Sequence, residues 1–337
     1  MLPQFYSLNE YLNNTFGEKI YKLALNGGMS CPNRDGLIDT RGCIFCSAGG
    51  SGDFAGGAID FTGEFRDSAD GAIVFTSKNE GFSAVSNSPI PGITEQIESA
   101  KALVKSKYSG KSYIAYFQAF TNTYASVDYL RRIFTEAINH PDIVCLSIAT
   151  RPDCLDNEII ALIGELNTIK PVWVELGLQT IHERTAAYIR RGYPLSVFEH
   201  SVAMLNEANI NTIVHMIIGL PYESKENMYA TAKYLSRMNI QGVKLQLLHV
   251  LSGTDLADDY TNGLFHTLSL EEYINILSHI IELLPTDIVI HRITGDGPKS
   301  QLIAPLWSAN KRNVLNSINR EFKIHGIEQG KLFDYQK

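Results

Sequence analysis

Residues 143–177 read IVCLSIATRPDCLDNEIIALIGELNTIKPVWVELG, and the fold is decided there. The runs 143–149 and 171–177 are short and rich in β-branched and aromatic residues, the composition of buried strands. Between them Leu155, Ile159, Ile160, Leu162, Ile163 and Leu166 recur at helical spacing, a stripe that can cover both strands. The same alternation continues outward. Candidate strands lie at 20–25, 112–118, 212–219 and 243–250, and a second helical stripe is formed by Leu130, Ile133, Phe134 and Ile138. Six strands with helices between them imply a parallel α/β sheet. Right-handed crossovers of this length wind either an open doubly wound sheet or a barrel, and in a barrel the chemistry gathers at the C-terminal ends of the strands.

Bulk properties agree with a folded chain. With 337 residues, 45% hydrophobic and 19% charged, the sequence can bury a large core, which excludes disorder as the main state. Residues 1–13 hold no basic stretch followed by an apolar run, and nothing approaches the roughly 18 uninterrupted apolar residues of a membrane helix. The expectation is a cytoplasmic protein with no membrane partner. A net charge of −7 argues against a surface that attracts phosphate everywhere. From His291 to Lys337, however, eight Lys or Arg face four Asp or Glu, which leaves room for a basic C-terminal surface or for an ordinary solvated helix face. Residues 57–92 are rich in Gly, Ser, Asn and Asp and read as an insert or mobile loop. A helix near 270–284, a β-like run at 288–292 and a last helix near 305–322 read as an extension packed on the same core.

Of five cysteines, three share one loop after the first strand: Cys31, Cys43 and Cys46. Three thiolates can bind three irons of a cubane and leave the fourth open, whereas a fourth cysteine would close the cluster for electron transfer alone. A zinc site needs four ligands, and the nearest histidine in sequence is His140, so zinc would have to recruit Cys145 or Cys154. Cys145, inside an apolar strand, reads as a small buried hydrophobe, and Cys154 shows no base or resolving partner. A zinc-stabilised module and an electron-transfer iron-sulfur protein both stay open on the residues alone. The string 108–112 resembles the end of a phosphate loop, but Lys105 stands where that motif needs Gly, so it is rejected.

The three-cysteine loop, with Phe45 just before its last cysteine, resembles the radical S-adenosylmethionine (SAM) superfamily. The usual spacing has three residues between the first two cysteines, and this chain has eleven. The lengthened form CPNRDG…GCIFC resembles the YhcC/YtqA-type branch, near the Elongator catalytic subunit. Further strings match that branch: GSGDFA at 50–55, YFQAFTNTYA at 116–125, TRPDCL at 150–155, VELGLQT at 174–180, IIGLP at 217–221 and HRITGDGP at 291–298.

The resemblance implies a partial (β/α)6 TIM-like barrel over residues 1–250, with a cluster loop at 27–56 and the insert at 57–92, followed by a C-terminal extension at 251–337. It implies a [4Fe-4S] cluster on Cys31, Cys43 and Cys46, with SAM beside Phe45. Gln118, Ala119, Phe120, Thr121 and Asn122 take the place of the family's Gly-Gly-Glu motif. Gln179 and Arg191 match residues that hold the SAM carboxylate and ribose; His215, where the coproporphyrinogen-oxidase type has an Asp, reads either as an adenosine-side candidate or as a buried, satisfied histidine, and Ile217 either as part of an adenine seat or as core. Elongator-type enzymes have a Glu where Ala149 stands here, so Arg151 and Asp153 are expected to pair with each other or with the barrel rim. His291, Arg292 and Asp296 are branch-specific candidates for substrate contact. The expected reaction is reductive cleavage of SAM to a 5′-deoxyadenosyl radical, driven by an external one-electron donor of the flavodoxin or ferredoxin type. The branch also points to tRNA as a partner, through the xnm5-type side chain of its wobble uridine.

Overall fold

The structure, a computed structural model, describes residues 4–47, 49–50, 64–67, 73–76, 90–105, 108, 110–295 and 297–335. Seven strands form one sheet: β1 Tyr21–Leu25, β2 Tyr113–Phe117, β3 Ile143–Thr150, β4 Val172–Gln179, β5 Asn211–Ile218, β6 Gly242–Leu247 and β7 Val289–Arg292. They lie side by side in chain order and every pairing is parallel, which gives a curled half-barrel. The helices are α1 Leu8–Phe16, α2 Ile93–Val104, α3 Val127–Asn139, α4 Asn157–Asn167, α5 Glu183–Tyr188, α6 Leu195–Glu207, α7 Lys225–Leu235, α8 Asp255–Thr261, α9 Leu270–Leu283 and α10 Lys311–His325.

Local chemistry explains the boundaries. The Asp156 side chain accepts from Ile159 N and starts α4, which buries Ile159, Leu162, Ile163 and Leu166. A capping box of Ser269 and Glu272 starts α9. Helix α10 begins at Lys311, six residues later than the sequence pattern implies, because Pro305 and a 3-10 turn, Leu306–Ala309, precede its cap Asn310.

The six expected strands are present, with two corrections. The run 288–292, assigned to the extension, joins the main sheet as β7, with Val289 opposite Gly242. The strand expected over 243–250 ends at Leu247, and Val250–Leu251 turns aside to pair antiparallel with Leu302–Ala304. Of the insert expected at 57–92, about two thirds lies outside the described residues; within it, Glu64–Asp67 and Ile73–Thr76 pair antiparallel.

Helix α1 closes the bottom of the half-barrel. Leu8 and Leu12 pack on Ile114, Cys145, Trp173, Ile213 and Val289 from the lower ends of the strands. Ile290 N donates to Tyr6 O at 2.8 Å, and Ser7 bridges to β7, so the outer strand is not left bare. Gln329 fastens this corner: its side chain accepts from Tyr6 N (2.8 Å) and donates to Pro285 O (2.6 Å) and Ile288 O (2.8 Å).

Above that apolar plug lies a polar layer, built by residues that alternate inward along the strands. Glu175 of β4 sits at its centre with no exposed surface. Its Oε1 accepts from Lys22 Nζ at 2.9 Å and Ser147 Oγ at 2.8 Å. Its Oε2 meets Lys244 Nζ at 2.6 Å, His215 Nε2 at 2.8 Å and Tyr116 OH at 3.0 Å. Burial opposes ionisation of Glu175, but the two ammonium groups and His215 outweigh it and hold the carboxyl well below the ordinary range. Burial lowers His215 in turn, partly countered by its bond to Glu175.

Removing one member of such an array leaves an uncompensated buried charge, a loss of about 3–5 kcal/mol. Glu175→Gln is therefore expected to lower the thermal midpoint sharply, more than a substitution in an exposed ion pair such as Arg320–Glu321. The pH dependence follows from the signs. Glu175 stabilises the fold fully above its unfolded value near 4.5, and that contribution fades as the pH falls through its lower folded value. His215 also binds its proton more weakly when folded, so acidification below about 6.5 begins the loss. Thermal midpoints recorded from pH 8 to 4 should decline for the native chain, and the Glu175→Gln variant should lack the lower part of that decline.

Candidate active site at the mouth of the half-barrel

The loop after β1 carries the three thiols, and its shape is fixed by two polar side chains. Asn33, fully buried, donates through Nδ2 to Arg190 O at 2.6 Å and to Cys43 Sγ at 3.3 Å. Arg34 donates to Cys46 O at 3.1 Å and to Ser47 O, and its guanidinium stands 5.9 Å from the centre of the Phe120 ring. Glycine is required at two crossings. A Cβ on Gly42 (φ 79°) would lie 2.8 Å from Arg34 Nε, and one on Gly50 (φ 66°) would lie 2.9 Å from the Phe120 ring. The eleven residues between Cys31 and Cys43 thus fold back as a lobe held by backbone bonds such as Ile38 N to Pro32 O, 2.8 Å, and Gly42 N to Asn33 O, 2.6 Å.

A hydrogen bond from Cys46 lowers the Cys43 thiol to about 6, against the effect of burial; Arg151, Asn33 and Arg34 add to the lowering. The same bond, with burial, pushes Cys46 up. A polar, cationic wall of this kind favours thiolate over thiol.

The three thiols line a cavity of about 240 Å³ whose floor is the Glu175 layer. Of the residues singled out from the sequence, Phe45, Gln118, Phe120, Thr121, Gln179, Arg191, His215, Ile217 and Arg292 also line it. Ala119 and Asn122 lie behind its wall: Asn122 is fully buried and donates to Phe117 O (3.1 Å) and Ala149 O (2.8 Å), joining the ends of β2 and β3. His291 is buried against Trp173, with ring centres 5.5 Å apart, and does not line the cavity. Asp296 lies outside the described residues.

Three non-glycine residues around the mouth adopt left-handed backbone: Phe120 (φ 58°), Gln179 (φ 63°) and Arg190 (φ 55°). Each such conformation costs about 1–3 kcal/mol and persists only where the surroundings over-determine it. At Gln179 it turns the amide over Gly177, where a Cβ would sit 2.8 Å from Nε2, and leaves Oε1 buried with no partner.

Arg191 behaves differently from its sequence expectation. Its guanidinium donates to Tyr193 O (2.9 Å), Thr180 O (2.7 Å), Leu178 O (3.3 Å) and both oxygens of Glu183 (3.1 and 3.3 Å). All three guanidinium nitrogens are engaged by the protein, so as placed it ties down the turn after β4. Arg151 and Asp153 form the expected pair, with bonds of 2.9 and 2.6 Å. Cys145 is buried in the apolar plug, and Cys154 is buried beside Asp153, its thiol pushed up to about 12 by burial and that carboxylate.

Sequence reasoning missed Lys22, Tyr116, Lys244, Gln246 and His249. A signal was there: Lys22 and Lys244 are single charges inside otherwise apolar strand runs, which a folded chain keeps only when they are paired. His249 lines the cavity with Nε2 buried and unpartnered, and burial lowers its imidazole to about 4, with the charges of Arg292 and Lys311 adding.

Similarity to known proteins agrees with this geometry. Residues 40–235 match the model of the radical SAM superfamily, and residues 240–323 match a radical SAM C-terminal domain. The chain is 40% identical over 330 residues to the uncharacterized protein YtqA of Bacillus subtilis, covering 98% of this chain and 93% of that one. It is 25% identical over 189 residues to a tRNA uridine(34) acetyltransferase of Methanocaldococcus jannaschii, covering 55% of this chain and 34% of that protein. Among solved structures, an N-terminally truncated Elp3 of Methanocaldococcus infernus superposes with a TM-score of 0.61 at 18% identity, over 70% of this chain and 60% of the other. The curled parallel sheet, the matched family model and the near full-length relative together place the chain in the radical SAM superfamily, as a radical SAM enzyme of the YhcC/YtqA type.

Proposed function

We propose that Cys31, Cys43 and Cys46 hold a [4Fe-4S] cluster at the mouth of the half-barrel and that SAM occupies the cavity beneath it. One observation carries the reading: three thiols from one loop, and no fourth, face a single cavity. Cys145 lies under the floor, and Cys154, buried beside Asp153, does not line the cavity. Three thiolates fit three corners of a cubane; of the two imidazoles lining the cavity, His215 is already bonded to Glu175 and Gln246 whereas His249 Nε2 has no partner, so metal analysis is what separates iron from zinc. Asn33 would support the cluster from outside by its N–H···S bond to Cys43.

Held by Cys31, Cys43 and Cys46, a cluster of this kind would supply the electron for reductive cleavage of SAM, the chemistry by which a hydrogen atom would be taken from a substrate carbon. The chain's own residues position and enclose. The buried Oε1 of Gln179 is an acceptor for the ammonium or a ribose hydroxyl of SAM. Arg191, with its donors taken by protein carbonyls and Glu183, positions Gln179 by fixing the turn around it and does not grip the carboxylate directly. Ile217 and Ile189, part of one apolar cluster with Ile44 and Leu248, would seat the adenine. The backbone of Phe120 and Thr121 closes the methionine side, and Thr121 N is already tied to Ser30 O of the cluster loop at 3.2 Å. The paired floor around Glu175 closes the cavity from below.

An external reductant of the flavodoxin or ferredoxin class would deliver the electron. The substrate we propose is tRNA, at the side chain of its wobble uridine in an xnm5-type modification. The support is a relative named as a tRNA uridine(34) acetyltransferase together with the local basic excess of the C-terminal region.

Two experiments test the reading. Anaerobically reconstituted protein should hold about four irons with matching sulfide and, with dithionite and SAM, release 5′-deoxyadenosine. Cys43→Ala should hold less iron and release none, and stoichiometric zinc in place of iron would sink the cluster assignment. For the substrate, mass spectrometry of bulk tRNA nucleosides from a strain lacking the gene should show an altered wobble uridine, and an unchanged profile would remove tRNA as the substrate.

A further inference from the structure

Away from the cavity, one surface differs in charge from the rest of this acidic chain. Helix α10 carries Lys311, Arg312, Arg320, Lys323 and His325 against a single carboxylate, Glu321. Its inner face is apolar, with Val314, Ile318 and Phe322 buried. The 3.6-residue period then puts Arg312, Asn316, Asn319, Arg320 and Lys323 on the outer face, and all five are exposed. Glu321 is already taken by Arg320 at 3.0 Å and His325 at 3.4 Å. Arg312 and Lys323 have no acidic partner among the described residues. In a protein of net charge −7 the helix has one mixed-sign i,i+4 pair, Glu321 with His325, and no carboxylate to balance Arg312 or Lys323. This one presents guanidinium, ammonium and carboxamide donors, the groups that contact phosphate oxygens.

The position of the helix matters as much as its charge. At its start, Lys311 is close enough to act electrostatically on His249, which lines the cavity. Near its end, Phe322 packs edge-on against Phe5 at 6.3 Å, beside the N-terminal segment that closes the bottom of the barrel. The helix therefore runs about 22 Å from the mouth down the flank. We propose that the outer face of α10 is a docking surface for the phosphate backbone of RNA, which holds the substrate while a nucleotide of its loop enters the mouth. The inference rests on the tRNA reading above and adds to it the surface that engages the molecule.

The test uses cluster-loaded enzyme, kept anaerobic, and tRNA purified from cells lacking the gene. Binding is measured between about 50 and 200 mM salt for the native chain, for the triple variant Arg312→Gln, Arg320→Gln, Lys323→Gln, and for a charge-preserving variant Arg312→Lys, Arg320→Lys, Lys323→Arg. The neutral triple variant should bind about tenfold more weakly, and the slope of log affinity against log salt should shrink by about three, near one for each of the three lost phosphate contacts. The charge-preserving variant should retain both. Formation of 5′-deoxyadenosine without RNA should be the same in all three, which verifies the fold and the SAM site. Equal affinity and equal slope for the neutral variant would overturn the proposal while leaving the tRNA reading intact. An unaltered wobble uridine in the deletion strain, with α10-dependent binding retained, would sink the uridine reading and leave RNA docking supported. Native enzyme that does not bind tRNA at all would overturn both.

Discussion

The half-barrel depends on one carboxylate. Glu175 is fully buried at the centre of seven strands and bonds to groups from five of them besides its own: Lys22 of β1, Tyr116 of β2, Ser147 of β3, His215 of β5 and Lys244 of β6. Two ammonium groups in an apolar barrel would otherwise force the strands apart or lose their protons. With the carboxylate between them, the layer becomes a rigid base that links strands far apart in sequence and leaves the space above it open.

That base and the cysteine loop act together on the space between them. The thiol loop is anchored from below through Asn33 to the backbone of Arg190 and from within through Arg34 to the backbone of Cys46. Left-handed residues Phe120, Gln179 and Arg190 stand around the same opening. Strain, glycine crossings and buried polar anchors all collect at the strands' C-terminal ends, while the opposite end is closed by leucines, a tryptophan and a cysteine. This is the division of labour that a barrel permits, with stability at one end and chemistry at the other.

Much of this was legible in the sequence. The strand-helix alternation carries period information over whole segments, so six strands and the helices over them were readable from residues such as Leu162 and Val174. The Cys31, Cys43 and Cys46 cluster was readable because spacing and count are themselves chemical statements. What escaped depends on inward parity. Lys22 and Lys244 look like ordinary charges until the register shows them pointing at Glu175, 153 and 69 positions away along the chain in the cases of Lys22 and Lys244. Arg191 illustrates the converse: a guanidinium at a matching position can bind a ligand or hold a turn, and its bonds to Glu183 and three carbonyls become visible only in the fold. The seventh strand was hidden because Val289–Arg292 is too short to show a period.

Gln329 has a consequence for how the molecule assembles. Its amide joins Tyr6, 323 positions earlier, to the carbonyls of Pro285 and Ile288, so both extremities of the described chain meet at the outer strand. A chain emerging from the ribosome can pair β1 to β6 while residues near 329 are still unmade, but the last seam must wait for them. The segment at Tyr6 and Ser7 that covers the outer backbone of β7 is thus itself fastened late, which gives Gln329 a part in guarding that edge against wrong pairing during synthesis.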